Sequence, residues 1–118
     1  MKILKVTEGW NGKNAHAGMH PSYLACVLFE FPPHSNKLSA FVVFDKHTGE
    51  LRTHPRVFNL GSDDLKVATW DVHEGRAKIK QSNGVLRDPD TEVQVSDEVM
   101  TELVAAARKF AGDNLPCR

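Results

Sequence analysis

Two stretches of the chain are apolar at both odd and even positions, and that pattern predicts the interior of a β-sheet. Between Tyr23 and Phe31, one face carries Tyr23, Ala25, Val27, Phe29 and Phe31, and the other Leu24, Cys26 and Leu28, broken only by Glu30. Leu38 to Phe44 repeats the pattern beyond Pro32-Pro33-His34-Ser35-Asn36. Strands read this way when neither face meets water, so the two are expected to pair as a hairpin at the sheet centre. The other strand signals are weaker. Lys2 to Glu8 alternates loosely around Ile3, Leu4 and Val6, which suits a first strand ending at Gly9. Leu51 to Phe58 follows the turn Asp45 to Glu50, and its Pro55 removes a ladder donor, as at an edge or a strand end. Lys66 to His73 and Arg76 to Gln81 alternate around Glu74-Gly75, and Ser82-Asn83-Gly84 leads into Val85 and Leu86. A further hairpin is expected there.

The period changes near the end of the chain. Val99, Met100, Leu103, Val104, Ala107, Phe110 and Ala111 fall on one helical stripe. Ser96 is placed to cap this helix, Val95 to staple against Met100 and Gly112 to end it. Asp97 and Glu98 in the first turn, with Arg108 and Lys109 in the last, all oppose the helix dipole. The expected fold is therefore α+β: a mostly antiparallel sheet of five to seven strands, with one C-terminal amphipathic helix packed on one face. Burying Leu103 or Phe110 there contributes on the order of 2 kcal/mol each.

With 118 residues, no repeat and no linker, a single domain over 1–118 is expected. A core of that size needs neither disulfides nor a structural metal. Fifteen basic residues balance fifteen acidic ones, which leaves no long-range field to gather nucleic acid or an anionic membrane. The longest apolar run, Leu24 to Phe29, is too short to span a bilayer, and the charged start Met1 to Lys5 is not a signal peptide. Cys26 and Cys117 have no disulfide or zinc spacing, which points to a reducing, cytoplasmic setting.

Between the first two strands lies the least regular part of the sequence. Residues 9–21 hold Gly9, Gly12 and Gly18 with asparagines, histidines and Pro21, in a connection of about thirteen residues, and long ordered connections often carry function. Trp10 follows a glycine in this polar loop, where it is either a lid on the core or a hot spot for a partner. His16 and His20 have the i, i+4 spacing of helical metal ligands, but Gly18 and Pro21 deny them the helix, so solvated loop histidines are the plainer reading. Cys26 as a nucleophile is set against Cys26 as core packing, which its apolar neighbours favour. Asp63, Asp64, Asp71 and Glu74 match no calcium or acid–base motif and read as turn charges. Arg76, Lys78 and Lys80 alternate along a strand, either as a stacking-and-charge surface for single-stranded nucleic acid with Trp10, Tyr23 or Trp70, which the neutral net charge disfavours, or as cations that guard an edge.

No catalytic set emerges and no cofactor or metal is expected. The leading expectation is a small non-enzymatic binding domain, an inhibitor or adaptor of the kind that phages and mobile elements encode. It would meet a protein partner through residues 9–21 and the neighbouring sheet face, with Trp10, Lys13, His16, Met19, Arg76 and Lys78 as the binding residues. A homo-oligomer is compatible with this. The alternatives are a small-molecule or nucleotide-binding domain, in which Lys13, Arg52, Arg76 or Lys78 neutralises a phosphate, and a histidine-metal hydrolase.

Overall fold

A computed structural model describes residues 1–8, 22–30, 37–52, 54–59, 68–71, 76–80, 86–87 and 92–115. The fold is α+β, with one four-stranded antiparallel sheet and one helix. β1 (Lys2–Glu8), β2 (Ser22–Glu30), β3 (Lys37–Asp45) and β4 (Arg56–Asn59) follow one another in the order β1-β2-β3-β4. The two doubly apolar runs take the two central places, in register from Ser22 opposite Asp45 to Glu30 opposite Lys37. One sheet of five to seven strands exceeds what is seen. β5 (Ala68–Asp71), β6 (Arg76–Lys80) and β7 (Leu86–Arg87) form a separate three-stranded antiparallel ladder, pairing only with one another among the described residues.

Helix α1 (Asp97–Ala111) lies across β2 and touches β1 and β3 on either side. Ser96 caps it, its Oγ accepting from the Val99 amide at 3.3 Å. Gly112, at φ 51°, ends it by donating its amide to the Arg108 carbonyl, a conformation that a side chain would strain. Leu103, Ala107 and Ala111 are buried against Tyr23, Ala25, Val27 and Phe29 of β2 and Leu38, Ala40, Val42 and Phe44 of β3. Phe110 departs from the expected stripe and is 44% exposed. The buried residues advance four positions at a time, so the contact line rolls around the helix and leaves Phe110 on its flank.

The opposite sheet face is buried as well: Leu24, Phe41, Val43 and Phe58 are at most 4% exposed, and β5 approaches β2. The ladder beyond β3 is broken. Leu51 bridges Phe44 and the Arg52 amide donates to the Val43 carbonyl at 2.9 Å, but regular pairing resumes only at Arg56. Pro55, which has no amide to donate, sits in the break. On its outer side, β4 is partly covered by residues 92 and 93, through the Phe58–Glu92 bridge and a Val93 amide donating to the Val57 carbonyl at 2.8 Å.

Candidate functional site

The ends of β1 and β2 set the mouth from which residues 9–21 depart. Glu8 pairs with Ala25 across the ladder, and the Tyr23 phenol donates to the Glu8 carboxylate on the same face. Tyr23 is 1% exposed, and burial, then the charge of Glu8, then this hydrogen bond push its pKa up to about 12. Next to it Ser22, fully buried, accepts a hydrogen bond from the Arg52 guanidinium. Arg52 therefore serves the fold at this mouth.

The turn after β3 stands at the same end of the sheet. Asp45 Oδ1 accepts from the amides of His47 at 2.7 Å and Thr48 at 3.1 Å, which holds its carboxyl below the usual carboxylate range. Gly49 takes φ 76°, and its carbonyl accepts from Arg108 Nη1 at 2.5 Å. The same guanidinium lies 4.8 Å above the Phe44 ring, so this flank of α1 is tied to β3 and its turn.

The other flank of α1 carries an exposed aromatic side chain, Phe110. Arg108 and Phe110 lie about 160° apart around the helix, and since Arg108 faces β3, Phe110 faces the β1 side. Ile3 pairs with Phe29, a core residue beneath the helix, so it too is on the helix side of the sheet. Met1, Ile3 and Phe110 are 37%, 37% and 44% exposed, three of the four exposed large hydrophobics among the described residues. Met1 and Ile3 border the start of β1, the outer strand, whose far side pairs with no strand among the described residues; Phe110, two residues from the Arg108 that contacts Phe44 and Gly49, lies toward the Glu8 end. Lys2 and Lys5 are exposed on β1, and the register shifts between Ile3 and Lys5. Lysines and a bulge are the usual guards of a sheet edge, but a guarded edge has no need of apolar neighbours.

The fourth exposed hydrophobic, Leu51, belongs to a shallow groove of ≈ 340 Å³ between α1 and the break in the ladder. Leu51, Pro55, Met100 and Val104 form its apolar part, and His54, Asp97 and Thr101 its polar part. Nearby, Arg56 makes a two-pronged contact with Glu92 at 3.0 and 3.1 Å and lies 5.1 Å over Phe58. That contact holds the Glu92 carboxyl below its ordinary range and pins residue 92 onto β4.

Of the residues singled out from sequence, Trp10, Lys13, His16 and Met19 lie outside the described residues, as do the acidic Asp63, Asp64 and Glu74. Arg76 and Lys78 occupy alternate positions of β6, opposite Asp71 and Thr69 of β5. Cys26 is in mid-strand, and burial pushes its thiol up to about 12, the opposite of an activated nucleophile. Among the described residues no three His, Cys, Asp or Glu side chains come together as a metal site, and no helix is long and apolar enough to cross a membrane. Sequence reasoning missed the groove and the β1 edge. Pro55 was a signal for the first; the second depends on strand order. Comparison with protein-family models, with curated proteins and with solved structures found no match for this chain.

Proposed function

We propose that the chain is a non-enzymatic protein-binding domain, of the inhibitor or adaptor type, that engages its partner through residues 9–21 and the outer edge of β1. One observation carries the reading: the strand that leads into residues 9–21 is also the outer strand of the sheet, with Met1 and Ile3 exposed at its start. An unpaired edge beside exposed apolar side chains suits association with another polypeptide. Both faces of β2 and β3 are buried, so the edge, rather than a sheet face, is the surface adjoining residues 9–21. An unpaired thiol at Cys26 suits a reducing compartment such as the cytoplasm.

The test is the molar mass by light scattering of the purified chain, alone and with proteins it retains from an extract, with Trp10→Ala and Ile3→Asp in parallel. A stoichiometric complex that forms with the wild type and is lost in both folded variants is expected. A complex indifferent to both substitutions overturns the reading. The groove at Leu51 and Met100 favours a second reading, a small apolar ligand, since its volume lies at the lower end of the range for ligand pockets. A thermal shift with small molecules, abolished by Met100→Lys and indifferent to Ile3→Asp, would support that alternative.

A further inference from the structure

We infer that the partner supplies an extended strand to the outer edge of β1, apolar on the side facing α1 and acidic on the side of Lys2 and Lys5. The inference rests on the protein-binding reading and specifies its chemistry. The outer side of β1 offers backbone amides and carbonyls that no strand takes up among the described residues, and an extended segment satisfies such a row. Alternation along an added strand then fixes which side chains go where. One set meets the helix side, where Ile3 is exposed near the start of β1 and Phe110 stands toward its Glu8 end, and gains by being apolar. The other set meets the face to which the register assigns Lys2, opposite Glu30, and Lys5, opposite Leu28. Both lysines are exposed and neither enters an ion pair with a described residue, so carboxylates complement them. A second copy of the chain is a poorer occupant. A two-fold antiparallel pairing centred on Lys5 sets Lys5 against Lys5 of the copy, and directly opposed like charges destabilise a ladder.

The experiment titrates the full-length, isotope-labelled protein with two short synthetic peptides, one alternating valine with glutamate and one alternating valine with lysine, followed by backbone amide resonances. The glutamate peptide is expected to shift the amides of β1 and of the helix near Phe110. Its binding should weaken by roughly tenfold in the Lys2→Glu/Lys5→Glu variant, which in turn should prefer the lysine peptide. Ile3→Asp should weaken both. Shifts at Leu51, Met100 and Val104 in place of β1, or equal binding of the two peptides, would overturn the inference. So would a concentration-dependent doubling of mass that Ile3→Asp abolishes, which would assign the edge to a second copy. If the peptides fail while a Trp10-dependent complex persists in light scattering, the strand mode falls and the protein-binding reading stands.

Discussion

The Tyr23 phenol donates to the Glu8 carboxylate across the mouth of residues 9–21, closing the end of the β1–β2 ladder. Tyr23 is the chain's single tyrosine, so tyrosinate absorbance reports this side chain alone. The native protein should titrate near pH 12 and the unfolded chain near the ordinary value of about 10. A raised native pKa means that the unfolded state releases its proton first. Stability is therefore fully present below about pH 10 and is lost as pH rises through about 12. Glu8→Gln should lower the native midpoint yet leave it above that of the unfolded chain, because burial is the larger cause. A native midpoint near 10 would show that the mouth is open.

Leu103 and Phe110 share a stripe in the sequence but not in the fold. Leu103 is fully buried and Phe110 is 44% exposed. Leu103→Ala should cost about 3 kcal/mol and lower Tm by roughly 10 °C, whereas Phe110→Ala should cost under about 1 kcal/mol. Thermal unfolding of the two variants checks this; equal losses would mean that the helix sits differently on the sheet.

Arg108 joins the last turn of α1 to Phe44 and Gly49 through a cation–π contact and a hydrogen bond. Arg108→Ala should cost about 1–2 kcal/mol in denaturant unfolding, and Arg108→Lys should recover little, because an ammonium cannot lie flat on the ring while reaching the Gly49 carbonyl. Gly49→Ala should cost about 1 kcal/mol through its positive φ.

Cys26 keeps some surface as a residue, but its thiol is desolvated. In a Cys117→Ser background it should react with a thiol reagent at neutral pH far more slowly in the native state than in denaturant. Rapid native labelling would contradict its placement.

The central hairpin was legible because Leu24 and Tyr23, or Val42 and Val43, are apolar on successive positions, a pattern that only a strand covered on both sides requires. The helix ends were legible for a local reason: Ser96 and Gly112 act on their own neighbours. Strand order was not legible, because nothing in Lys2 to Glu8 states whether it lies inside or at the rim, and the edge surface follows from that order. The same limit hid Phe110, whose helical phase matches that of Leu103 while the sheet beneath it ends at β1. Pro55 announced a break in the ladder, but the groove at that break exists only because α1 passes alongside it.

Hydrogen exchange, compared between the free chain and the complex isolated by light scattering, tests the central claim most directly. The account predicts slowed exchange across residues 1–21, with amides of β1 among the most protected. Protection confined to residues 51–55 and 97–104, with β1 exchanging as in the free chain, would contradict it and assign the partner to the groove.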